Sequence, residues 1–195
     1  MERDRSRRTR AVAVLIALTV GIVGGWALSL TSDGAGDDPG GSPVDTSSSG
    51  IATNPDTTGE PFPFVDLTTL DGDTVSLSTS ENRPMVVNFW FSTCEPCKRE
   101  MPALATAAAE NEGRVDFVGI NPTDGPDAAR RFLDDFGVTF PNYLDDGDQT
   151  AAAKVALMPS TFFLAADGTI VAREAGEVTA EELAARLAEL TEAGT

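Results

Sequence analysis

Met85 to Phe91, MVVNFWF, is an almost unbroken apolar run of β-branched and aromatic residues, interrupted only by Asn88. It has the length of a strand, and a strand without polar alternation is one buried on both faces. Such a strand belongs in the middle of a sheet with helices on either side. Cys94-Glu95-Pro96-Cys97 follows almost at once and opens a segment, to about Ala109, that reads as a helix.

The rest of the chain from Pro61 supplies the partners of that strand. Phe64 to Leu70 and Thr74 to Leu77 flank Asp71-Gly72-Asp73, a hairpin signal. Val115 to Ile120 reads as a second buried strand, and Asp127 to Phe136 as a helix with Ala128, Phe132, Leu133 and Phe136 at helical spacing. Phe140 to Leu144 is a short extended piece, and Gln149 to Val155 a short Ala-rich helix. Thr161 to Ala165 and Thr169 to Arg173 flank Ala166-Asp167-Gly168, a second hairpin. Thr179 with Glu182 makes a capping box for a closing helix to Glu192, with Leu183, Leu187 and Leu190 as its apolar stripe. The βαβ order requires a parallel pair joined by a right-handed crossover, and the late hairpin adds antiparallel strands. An α/β domain with a central mixed sheet over 61–195 is the expectation.

Upstream of it the charge changes twice. Residues 1–10 hold five arginines against Glu2 and Asp4, a net of +3, residues 31–60 carry −6, and 61–195 carry −14 of the overall −17. Residues 11–30 contain no charge, and at 1.5 Å per residue a helix of that length spans roughly 30 Å, the thickness of a bilayer core. The basic cluster at 1–10 keeps the N-terminus cytoplasmic and sends the remainder across, with Trp26 at the far interface. The alternative is a cleaved signal sequence ending near Ala27-Leu28-Ser29, which leads to a secreted protein. Residues 31–60 hold six Gly, three Pro, ten Ser or Thr and no aromatic residue, so they read as a disordered, acidic linker.

Composition also excludes whole classes of chemistry. The chain has no histidine, so Ser-His-Asp and Cys-His catalysis and imidazole metal cages are impossible within it. Its acidic balance argues against nucleic acid as a partner. What remains is the cysteine pair. A cysteine at a helix N-terminus meets unpaired N–H groups and the positive end of the helix dipole, which favour its thiolate. Three residues on, the second lies one turn away on the same face, close enough to bond to it. Half of a metal knuckle and a structural bridge are the competing readings. The first lacks further His or Cys ligands for zinc, and the second closes too short a loop to add much stability.

The run Asn88 to Pro102, NFWFSTCEPCKREMP, resembles the active-site segment of the thioredoxin superfamily, in particular its membrane-tethered TlpA, ResA and CcmG (DsbE)-like thiol–disulfide oxidoreductases. Met158-Pro159-Ser160-Thr161-Phe162-Phe163-Leu164, with Pro159 62 residues after Cys97, is similar to the family's cis-proline strand. The early hairpin and the 121–145 insertion fit the same branch. The resemblance implies a thioredoxin-like fold with an N-terminal β-hairpin extension, preceded here by one transmembrane helix and the linker. It also implies Cys94 as nucleophile, Cys97 as resolving thiol, a cis peptide at Pro159, and the Met158 backbone as a docking edge for an extended client. Trp90 would cover the site, with ordinary core packing as the alternative, and Glu95 and Pro96 would border it. Thioredoxin's buried aspartate is replaced by Asn88, and Glu100 is the acid expected to handle protons, or else an ordinary solvated helix residue. Glu95 should disfavour the Cys94 thiolate and push the site towards reductant behaviour. The implied partners are protein thiol or disulfide clients such as apocytochrome c, and a membrane thiol–disulfide electron donor or acceptor. No cofactor beyond the Cys94–Cys97 disulfide and no metal is expected. A disulfide-forming oxidant and a Cu(I)-binding module remain as alternatives. A peroxiredoxin does not, because Val87 and Phe91 stand where its Pro-x-x-x-Thr-x-x-Cys pattern needs Pro and Thr.

Overall fold

A computed structural model of the chain describes residues 54–79 and 83–192. The expected basic tail at 1–10, the span at 11–30 and most of the linker lie outside the described residues. Among the described residues, no helix is long and apolar enough to cross a membrane.

Seven strands form one mixed sheet: β1 (Asp66–Thr69), β2 (Thr74–Ser76), β3 (Met85–Phe89), β4 (Asp116–Asn121), β5 (Asn142–Leu144), β6 (Ser160–Leu164) and β7 (Ile170–Ala175). Their order across the sheet is β2-β1-β5-β4-β3-β6-β7. Among the described residues, four helices accompany it: α1 (Glu95–Glu110), α2 (Pro126–Asp135), α3 (Asp148–Ala152) and α4 (Ala180–Glu192). β3 is central and wholly buried, parallel to β4 and antiparallel to β6. Both hairpins form as their turn residues require; Gly72 holds a φ of 97° in the first, which its lack of a Cβ permits.

The pleat divides β3 between two cores. Val86 faces Met101, Leu104, Phe117, Phe132, Phe163, Leu183 and Leu187, the layer under α1, α2 and α4. Met85, Val87 and Phe89 face Phe62, Leu67, Val118, Ile120, Phe162 and Leu164 on the other side. That second face is covered by the end of α3 and by the N-terminal segment. The fully buried Gln149 of α3 accepts from the Val65 N–H at 2.9 Å and donates to the Pro63 carbonyl at 2.8 Å, so it fastens the segment down.

The domain starts earlier than Pro61. Residues 54–60, assigned to the linker by composition, are ordered against β7. The Gly59 N–H donates to the Ile170 carbonyl at 2.8 Å and the Ile170 N–H to the Glu60 carbonyl at 2.9 Å, while Thr57 is buried. This strap pairs with the outer edge of β7, which would otherwise present open main-chain groups. Its polar composition hides it because what holds it is hydrogen bonding, to which side-chain hydrophobicity is blind.

Candidate active site

α1 begins at Glu95, one residue after the start expected from sequence, because Cys94 is its cap. Cys94 is extended (φ −78°, ψ 108°), and its Sγ accepts from the Cys97 N–H at 3.2 Å. Pro96 sits in the first turn, where a missing N–H leaves no intrahelical bond unmade. Cys94 and Cys97 are joined in a disulfide with Cα atoms 5.2 Å apart. Cys94 is 5 % exposed and Cys97 0 %, so Cys94 is the one of the pair that lies nearer the surface. On reduction, the Cys97 N–H and the free N–H groups of the helix end favour the Cys94 thiolate.

The loop leading into Cys94 is held by an acid that sequence reasoning does not single out. The Asp124 carboxylate accepts from the Ser92 N–H at 2.6 Å, the Ser92 hydroxyl at 2.7 Å and Asn121 Nδ2 at 2.8 Å. Asn121 closes an Asx turn back onto the Thr123 and Asp124 amides. The available signal is Asn121-Pro122-Thr123-Asp124, turn chemistry at the end of a buried strand.

Trp90 does not lie open over the site. It is 0 % exposed, stacked on Phe132 with ring centroids 4.5 Å apart, and its Nε1 donates to Asn142 Oδ1 at 2.9 Å. Core packing, the alternative reading, is what the structure contains. Gly119 makes room for it, since a Cβ there would meet Asn142 Oδ1 at 1.7 Å. The ring shares its hydrophobic layer with both cysteines, so it supports the site from below.

Glu95 is exposed and ion-paired to Lys98 at 2.6 Å, which holds its carboxyl below the usual carboxylate range. Lys98 therefore offsets part of its effect on Cys94, as an exposed pair does. Glu100, by contrast, is buried at 1 % exposure and is not a solvated helix residue. Its Oε1 accepts from Asn88 Nδ2 at 2.8 Å and its Oε2 from the Val178 N–H at 3.0 Å. Burial pushes its pKa up to about 7 despite those two bonds, and the nearby charge of Glu177 adds to the rise. Asn88 also donates to Thr161 Oγ1 at 3.0 Å, and its Oδ1 has no hydrogen-bond partner. A protonated Glu100 would supply that missing donor after rotation of the amide.

β6 brings the second motif to the same place. Phe89 pairs with Ser160, so Met158 and Pro159 continue past the C-terminal end of β3, the end at which Cys94 stands. The Met158–Pro159 peptide is cis, as expected. Pro159 is buried, Met158 half-buried, and the Pro159 carbonyl accepts from the Gly176 N–H at 2.9 Å. Among the described residues, the Met158 amide and carbonyl have no hydrogen-bond partner. No group of three or more His, Cys, Asp or Glu among them is placed to hold a metal.

With this geometry in place, known proteins fall close to it. The Redoxin family profile matches residues 57–189. The chain belongs to the Redoxin family. The thioredoxin-like protein YneN of Bacillus subtilis is 30 % identical over 132 residues, 66 % of this chain and 78 % of YneN. The thiol-disulfide oxidoreductase ResA of Bacillus thuringiensis is 27 % identical over 135 residues, 68 % of this chain and 78 % of ResA. A secreted Mycobacterium tuberculosis disulfide oxidoreductase homologous to E. coli DsbE matches with a TM-score of 0.60 and 32 % identity, over 65 % of this chain and 96 % of that one. This Redoxin-family chain is a thioredoxin-like thiol–disulfide oxidoreductase of the TlpA/ResA/CcmG type.

Proposed function

We propose that the chain exchanges disulfides with protein clients outside the cytoplasm, through Cys94-Glu95-Pro96-Cys97, and that it acts as a reductant. In the reduced form the Cys94 thiolate attacks a client disulfide; a mixed disulfide forms and one client sulfur leaves as a thiolate. The Cys97 thiolate then attacks Cys94 Sγ, closes the internal disulfide and releases the second client sulfur. Two electrons pass to the client, which takes up two protons, and a membrane thiol–disulfide partner restores the dithiol. Clients such as apocytochrome c cysteines fit this direction. Tethering through residues 11–30 places the reaction beyond the membrane, and the secreted mycobacterial relative supports that side.

The observation that carries the exchange chemistry, in whichever direction the electrons flow, is the asymmetry of the pair. Cys94 caps the helix nearer the surface and its Sγ accepts from the Cys97 N–H at 3.2 Å, while Cys97 is fully buried. Cys97→Ser in the full-length protein should therefore accumulate a client joined to Cys94, recoverable by non-reducing electrophoresis and released by dithiothreitol. No covalent adduct, or adducts that persist in Cys94→Ser, would overturn the mechanism.

The opposite direction has one observation in its favour: Lys98 offsets Glu95, which leaves the helix end free to stabilise the Cys94 thiolate and with it the reduced form. The reduction potential of Cys94–Cys97 decides. A value more negative than about −250 mV supports the reductant, and one near that of strong oxidants, about −120 mV, the disulfide former.

A further inference from the structure

We propose that Asn54, in the N-terminal strap, is a positioning residue for client docking: it fixes the turn from Ala156 to Ser160 so that the Met158 main chain is presented as an open edge at the end of the sheet where Cys94 stands. The proposal rests on the reading that clients dock at the cis-proline.

All of the hydrogen-bonding capacity that Asn54 directs at this turn is spent on fixing it. Its Oδ1 accepts from the Ala156 N–H at 2.6 Å and the Leu157 N–H at 3.0 Å, and its Nδ2 donates to Ser160 Oγ at 2.6 Å. Ser160 Oγ in turn donates to the Leu157 carbonyl at 2.7 Å. The main-chain groups on either side of Met158 are thereby taken internally, and the Pro159 carbonyl is taken by Gly176. Among the described residues of this turn, Met158 is the one whose amide and carbonyl are both unpaired, so an extended client segment can pair with it in one register. Leu157, 44 % exposed, is the large apolar side chain that the described surface leaves most open, and it stands one residue from this edge, where a client's apolar side chain would land.

A second tie joins the same two segments. Arg173 donates to the Pro55 carbonyl at 3.0 Å and to the Lys154 carbonyl at 3.0 Å, with its guanidinium 4.5 Å from the centre of the Phe162 ring. Strap and turn are thus cross-linked from both sides, although Asn54 and Ala156 are 102 residues apart. Only asparagine offers an acceptor for two amides and a donor for the hydroxyl in so short a side chain. Aspartate would keep the first role, and leucine neither.

The test compares a disulfide-bridged peptide with oxidised glutathione as substrates of the reduced full-length protein. Glutathione reads the sulfur chemistry and makes little use of the docking edge. In Asn54→Leu the half-saturating peptide concentration should rise about tenfold, equivalent to roughly one net hydrogen bond. The limiting rate, the glutathione rate and the Cys94–Cys97 potential should stay as in the wild type. Asn54→Asp should recover most of the loss. The Ala156 and Leu157 amides should be protected from hydrogen exchange in the wild type and exposed in Asn54→Leu. Peptide saturation within twofold of wild type, or equal losses on both substrates, would overturn the proposal; the second pattern marks a residue that merely supports the fold. A wild type that reacts with glutathione but never with peptides sinks the docking reading itself, and with it this one, before any variant is made.

Discussion

Two structures meet at one end of the sheet, and they are built on different principles. The Cys94–Cys97 tip is assembled within four consecutive residues: a cap, a first-turn proline and an N–H aimed at a sulfur 3.2 Å away. The Met158–Pro159 turn is held by a strap about a hundred positions upstream. The cysteine pair is encoded locally, although Asp124 braces the loop before it, and the recognition turn is fixed at long range. Substitutions at the tip should therefore act on every disulfide alike, while those at the strap should act by client.

The largest effect is expected at the outer of the two sulfurs. Cys94→Ser removes the thiol nearer the surface, and exchange should fall by about a thousandfold or more on both protein and small disulfides. Cys97→Ser should keep the first step and stall at the mixed disulfide. Stopped-flow exchange with a chromogenic disulfide measures both. If Cys97 alone sustained turnover, the division between an attacking and a resolving sulfur would fail.

The same contrast explains what the sequence makes legible. The strand from Met85, which ends at Phe89 where the sequence suggests Phe91, the Cys-x-x-Cys tip, both hairpins, the capping box at Thr179 and the cis-proline strand are patterns over a few neighbouring residues, and all form. Asn54 and the strap at 54–60 find their partners about a hundred positions away, and no local pattern separates them from loop; for Asp124 the turn with Asn121 is legible but its bonds to Ser92 are not. Trp90 was open to two readings because a large aromatic beside a site serves a surface and a core equally well until Phe132 and Asn142 are placed. The Lys98 partner of Glu95 was visible at i,i+3, and only its geometry was missing.

Next in size is the buried acid. Because burial raises Glu100 to about 7 from an ordinary value near 4.5, the folded state holds a proton that the unfolded chain releases. The stabilisation from that proton is complete below pH 4.5 and is lost as pH rises through 7, amounting to roughly 3 kcal/mol across the window. Glu100→Gln should abolish this pH dependence whatever its effect on absolute stability, since Gln offers one acceptor where Glu offers two. Denaturant midpoints at pH 4.5 and 8 give the slope. A slope unchanged in Glu100→Gln would mean that another group carries it.

Asp124→Ala should cost about 2 kcal/mol of stability, since it orphans the Ser92 amide and frees the entrance to the Cys-x-x-Cys loop. It belongs to the tip, so exchange with peptide and with oxidised glutathione should fall together, the pattern opposite to that expected of Asn54→Leu. A loss confined to peptides would move Asp124 from the chemical half of the site to the recognition half.

The smallest effect sharpens the contrast most, because it isolates one charge at the tip. Lys98 pairs with Glu95 at 2.6 Å on the exposed first turn of α1. In Lys98→Ala that carboxylate stands uncompensated near Cys94 and opposes the helix end, so the Cys94 thiol should titrate higher and its thiolate become scarcer at neutral pH. Alkylation of Cys94 by iodoacetamide in a Cys97→Ser background reads this directly. At low salt the neutral-pH rate should fall by no more than about threefold, as for an exposed pair. The difference should close in about 0.5 M salt, where the screening length falls below 5 Å or so. A fall that survives salt would show that Lys98 acts by packing and not by charge. Glu95 would then regain the influence over Cys94 that its pairing reduces, and the case for a reductant would strengthen.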